Sequence, residues 1–86
     1  MKHYASPAFW EAYNKLPPRV RELADKNYRT LKQDPRHPSL HFKKVGSAHS
    51  GSVRIGIHHR ALGAQVEAGA VWFWIGSHSD YDALTR

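Results

Sequence analysis

Apolar residues recur at steps of three and four from Phe9 to Leu31, and at steps of two from Val53 onward. The first rhythm is that of an amphipathic helix, the second that of a half-buried strand. Ser6-Pro7 reads as an N-cap followed by proline at the first helical position. Phe9, Tyr13 and Leu16 then share a face, with Trp10 and Ala12 beside them, until Pro17-Pro18 stops the helix. Pro18 can open a second helix. Val20, Leu23, Ala24, Asn27, Tyr28 and Leu31 mark its inner face, and Arg19, Glu22, Lys26, Arg29 and Lys32 its outer one. Glu22–Lys26 and Asp25–Arg29 are i,i+4 pairs in the favourable order, each contributing about 0.2–0.5 kcal/mol. Asp34-Pro35 ends this helix. The two segments predict a helical hairpin.

The second half predicts strands. His41 to Val45 alternates weakly, and Gly46 to Gly51 is a flexible turn. Val53, Ile55 and Ile57 alternate with Ser52, Arg54 and Gly56. His58-His59 turns the chain into a third strand, Arg60 to Val66, and Glu67-Ala68-Gly69 turns it into a fourth, Ala70 to Ile75. Short connections make these an antiparallel meander. Asp80 to Thr85 can form a short helix capped by Ser79. The expected fold class is α+β: an N-terminal helical hairpin packed on one face of a small, mainly antiparallel sheet of three or four strands, closed by a short C-terminal helix. Val53, Ile55 and Ile57 would face the hairpin. On the last strand the inward set is either Val71, Phe73 and Ile75 or Trp72 and Trp74.

Length and composition narrow this picture. Eighty-six residues predict one domain spanning 1–86. A domain of that size buries only about 60–65% of its unfolded surface, which leaves room for a partner to add stability. The chain has no cysteine, so neither a disulfide nor a thiolate site is available. Its longest apolar run falls well short of the ~20 residues a membrane span needs, and Met1 to Ser6 lacks the apolar stretch of a signal peptide. The expected location is the cytoplasm, without a membrane partner. Thirteen Lys and Arg against seven Asp and Glu give a formal charge of +6, which favours polyanions.

Candidate chemistry gathers on the strands. Arg54 alternates with Val53 and Ile55 and so points away from the helices, and Arg60 can join it across the hairpin. Lys43 and Lys44 lie on the first strand, and convergence of these cations would hold a phosphodiester. RNA is cleaved without metal when a base activates the 2′-hydroxyl and an acid protonates the leaving oxygen, and histidine suits either role. His78, just past the last strand, is the candidate acid; His58 or His59 is a candidate base or phosphate contact. Tyr81 can stack on a base or orient the scissile group, and Asp80 can fix the His78 tautomer. His37, His41 and His49 read as solvated turn residues. There is no H-E-x-x-H and no Cys/His spacing, so no metal and no other cofactor is expected.

Several blocks together resemble toxins of the RelE/ParE superfamily. They are Leu16-Pro17-Pro18 with Val20 and Ala24-Asp25-Lys26; Asp34-Pro35-Arg36-His37-Pro38-Ser39-Leu40 with Phe42-Lys43-Lys44-Val45; Ser52-Val53-Arg54-Ile55-Gly56; His59-Arg60-Ala61-Leu62; and Trp72 through Asp82. The resemblance implies a bacterial type II toxin with a protein antitoxin as partner. It also implies a strand before the first helix, for which Lys2 to Ala5 is the available segment. RelE-like members cut mRNA in the ribosomal A site without metal, whereas ParE-like members inhibit DNA gyrase. Carried over, Arg60 matches the arginine that opens the family's third strand, His78 the arginine or histidine after the last strand, and Arg54 lies near the second-strand basic position. The catalytic tyrosine of some members comes later than Tyr81. The expected activity is a metal-free, ribosome-dependent endoribonuclease; the alternatives are gyrase inhibition and a non-toxic binding module.

Overall fold

The computed structural model describes residues 2–45, 50–67 and 69–85. Strand β1 (Lys2–Ala5) leads into helices α1 (Pro7–Asn14) and α2 (Pro18–Gln33). A 3-10 turn (Pro38–Leu40) and a two-residue strand β2 (Lys43–Lys44) follow, then β3 (Ser50–Ile55), β4 (His59–Val66), β5 (Gly69–Ser77) and α3 (His78–Leu84). The sheet runs β1-β5-β4-β3-β2, antiparallel except where β1 lies parallel to β5. The N-terminal strand is therefore present and brings the sheet to five strands, not three or four.

Local chemistry explains the hairpin. Ser6 Oγ accepts from the Phe9 amide at 3.3 Å, capping α1. The Tyr13 hydroxyl donates to Asp25 Oδ1 at 2.9 Å, which ties α1 to α2. Leu16, Ala24 and Leu31 pack with Leu40, Val53, Ile55, Ala61, Trp72 and Ile75 in one core between the helices and one sheet face. Leu23 and Tyr28, expected on the inner face of α2, are exposed at its margins. Asn27 turns its inward position to polar use, its side-chain amide donating to the Arg54 carbonyl at 2.6 Å.

Three details depart from the sequence reading. Gly56 adopts φ +61, a left-handed conformation that glycine reaches at no steric cost, and this ends β3 at Ile55. Ile57 thus sits in the turn at 66% exposure instead of facing the hairpin, while His59 belongs to β4 and not to the turn. On β5 neither proposed inward set is correct. The register shifts between Leu62 and Gly63, which pair with Trp74 and Trp72, so Phe73 is an extra, bulged residue. Trp72 and Ile75, three apart, both enter the core, and Trp74 lies on the opposite face with Leu62. Finally, α3 begins directly after β5 at His78, with Ser77 and not Ser79 as its cap: Ser77 Oγ accepts from the Asp80 amide at 3.1 Å.

Of the expected turns, Gly46 to His49 and Ala68 lie outside the described residues, while Ser50, Gly51 and Gly69 belong to strands. Among the described residues no helix is long and apolar enough to cross a membrane.

Candidate functional site

Sheet register decides which polar side chains meet. Arg54 and Arg60 are directly opposite each other on β3 and β4. Cross-strand partners share a face, and this one is opposite to Val53, Ile55 and Ala61. The two guanidinium groups therefore stand on the face the helical hairpin leaves uncovered, with Ser52 two residues along.

Arg60 is only 7% exposed. Its Nε and Nη2 both donate to Ser52 Oγ, at 3.0 and 2.8 Å, and Nη2 also donates to the His41 carbonyl at 2.8 Å. Its guanidinium carbon lies 5.2 Å from the centre of the Tyr81 ring. Arg54 donates from Nε to the Gly56 carbonyl at 3.0 Å, and its Nη1 is 3.4 Å from His41 Nε2. Every one of these partners is neutral or aromatic. Among the described residues the ion pair formed is His78–Asp82, and neither arginine has a carboxylate. A buried guanidinium without a counter-charge is costly unless its donors are hydrogen-bonded, and here Ser52 Oγ and the His41 carbonyl accept from it.

His78 stands at the first turn of α3, half-exposed. Its amide donates to the His58 carbonyl at 2.7 Å. Its Nδ1 is 3.1 Å from Asp82 Oδ2, one helical turn on, leaving Nε2 free. The residue that orients His78 is therefore Asp82 and not Asp80, whose amide is engaged in the cap. The His78 and Tyr81 rings meet edge to face at 5.7 Å, so Tyr81 lies between His78 and Arg60.

Other expected residues fall elsewhere. Tyr81 is 4% exposed with its hydroxyl 3.1 Å from Ser52 Oγ, so it is a buried strut beneath α3 and offers no face for stacking a base. Lys43 and Lys44 are both exposed but pair with Ser52 and Gly51 and so point to opposite faces; they do not converge. His59 pairs with Ile55 and Ser77, on the hairpin side, away from the arginines. Burial, and secondarily the neighbouring His58, hold its pKa below the ordinary imidazole value. His58 is exposed in the β3–β4 turn.

His41 is not the solvated turn residue that the sequence suggests. At φ +44 it turns its carbonyl to Arg60 and its ring to Arg54. Nothing local in the sequence marks it. Asp82 carried a usable signal, its i+4 spacing from His78, hidden by starting the helix too late. Ser52 carried one too, at i−2 from Arg54. Among the described residues no group of three or more His, Asp or Glu is placed to hold a metal.

The sequence model of the ParE-like toxin domain matches residues 18–83. No protein of curated function matches in sequence. Solved structures that share the fold include three toxins or toxin complexes. The YoeB/ParE toxin from Agrobacterium tumefaciens is 20% identical, over 91% of this chain and 99% of that one, with a TM-score of 0.70. The toxin–antitoxin complex RelBE2 from Mycobacterium tuberculosis matches at 17% identity, 90% and 96% coverage and TM-score 0.70. The YoeB-YefM complex from Staphylococcus aureus matches at 16%, 91% and 97%, and 0.62.

Proposed function

The chain is a toxin of the ParE-like domain family, and from that premise we propose that it cleaves messenger RNA on the ribosome without a metal, restrained by a cognate antitoxin. The observation that supports this is the pair Arg54 and Arg60, opposite each other on the open sheet face with no carboxylate to neutralise them among the described residues. A phosphodiester entering beside them would receive fixed positive charge and hydrogen-bond donors. Both would strengthen as a phosphorane gains its second negative charge. Because the donors are held by Ser52, Gly56 and His41, little reorganisation accompanies the reaction.

Asp82 holds His78 Nδ1 and directs Nε2 outward, the arrangement of a general acid for the leaving 5′-oxygen. His58, joined to His78 through a 2.7 Å backbone bond, is the nearby histidine for the 2′-proton. His59 takes no part, since it faces the other way. The antitoxin is expected to be acidic, matching the +6 charge. The family match also supports a second reading, inhibition of DNA gyrase, which needs none of these groups.

Inducible expression with mapping of mRNA 5′ ends tests the first reading. Arg54→Gln and His78→Asn should each lower cleavage roughly 10²- to 10⁴-fold and relieve growth arrest while the fold persists. Intact mRNA together with blocked DNA supercoiling would exclude cleavage and establish the second.

A further inference from the structure

On the hairpin side of the sheet, away from the arginine pair, lies a cleft of ≈ 520 Å³ between the 3-10 turn and strands β3 to β5. That is within the range of about 300–1,000 Å³ typical of ligand sites. Its floor has an uncommon construction. Gly51 and Gly63 are direct cross-strand partners, so two adjacent strands are bare at the same level. The Phe42 ring occupies the space over Gly51, where a Cβ would come within 2.8 Å of it. The Trp72 indole does the same over Gly63, at 2.7 Å. Both aromatic rings thus lie close against the sheet, and Phe42 remains 55% exposed. An aromatic ring backed by bare backbone, with much of its surface open, is a stacking platform.

The rim is cationic. Lys44, the cross-strand partner of Gly51, shares this face, and Arg36, just before the 3-10 turn, also lines the cleft. None of the lining residues is acidic. His37 Nδ1 accepts from the Ser39 amide at 3.1 Å, which leaves Nε2 as the donor of that ring.

We propose that this cleft binds one nucleotide of a single-stranded nucleic acid, its base stacked on Phe42 and its phosphate held by Lys44 and Arg36. Interleaved aromatic and basic side chains are the general means of holding single strands without reading sequence. The cleft shares His41 with the candidate cleavage site but none of its arginines, and the proposal rests on the cleavage reading only for the class of ligand. It would anchor the strand on one face of the sheet while the scissile phosphate meets the arginines on the other.

The test measures binding without chemistry. The full chain is titrated into a fluorescein-labelled eight-nucleotide 2′-O-methyl RNA, which has no free 2′-hydroxyl to attack, and fluorescence anisotropy is read. Phe42→Ala should weaken binding roughly five- to hundred-fold. Lys44→Gln, on an exposed edge where folding is not at risk, should reduce the slope of log affinity against log salt by about 0.7. Lys15→Gln removes the same charge from the far end of α1 and should change neither. The proposal is overturned if the wild type does not bind, if Phe42→Ala binds as tightly as wild type while melting normally, or if Lys15→Gln weakens binding as much as Lys44→Gln. Binding through this cleft, together with intact mRNA when the chain is expressed in cells, would leave the proposal standing and remove the cleavage reading.

Discussion

At the scale of single residues, Tyr81 and Arg60 are both buried, whereas His78 keeps about half of its side chain in solvent. Tyr81 carries a hydroxyl suited to catalysis, yet it packs under α3 and shares Ser52 Oγ with Arg60. Its ring centre stands 5.2 Å from the Arg60 guanidinium carbon. Tyr81→Phe removes one neutral hydrogen bond and should cost about 0.5–1.5 kcal/mol in urea denaturation, with cleavage lowered no more than a few-fold. A variant of unchanged stability that had lost cleavage outright would show that the hydroxyl reaches the substrate. Arg54 and Arg60 illustrate the opposite economy. Ser52, Gly56 and His41 engage part of their donors without cancelling their charge.

At the scale of elements, two small irregularities set the faces of the sheet. Gly56 ends β3 early and begins the turn that carries His58 beside His78. The bulge at Phe73 places Trp72 in the core and Trp74 on the opposite face, which period-two alternation alone forbids. Deleting Phe73 should therefore turn Trp72 out of the core and abolish a cooperative thermal transition. Phe73→Ser, on an exposed side chain, should stay within about 0.5 kcal/mol of wild type. A deletion variant that melted normally would mean the strand tolerates either register. The junction of β5 and α3 works in the same way. Because Ser77 caps the helix, His78 and Asp82 fall one turn apart on its first turns and form their contact.

At the scale of the molecule, the sheet carries two unlike faces and its stability is linked to pH. His3 on β1 accepts from the Trp72 indole at 3.2 Å. Burial chiefly, then the N-terminal amine and Lys32, hold its pKa below the ordinary value of 6.5. His59 is lowered likewise. Below about pH 6.5 the unfolded chain takes up protons that the folded chain still refuses. The stability these histidines contribute is thus full above that pH and lost as pH falls through their folded values. Thermal melts between pH 7.5 and 5.0 should show Tm declining with acidification, and His3→Gln should flatten the decline. A Tm that held or rose on acidification would contradict the linkage.

The sequence by itself determined the helical hairpin, the three long strands and the polyanion-favouring charge. Each follows from composition, short-range periodicity, or proline and glycine punctuation. That Arg54 lies directly opposite Arg60 came from the register, with β3 ending at Ile55 and His59 paired in β4. Only the tertiary structure decided that Lys2 to Ala5 pairs with a strand more than sixty residues away, that Phe73 is bulged, and that His41 closes the arginine site. It also decided that Lys43 and Lys44 part to opposite faces and that Phe42 and Trp72 lie over paired glycines. These depend on register and on contacts between segments distant in sequence. Local patterns carry no information about register until the partner strand is in place.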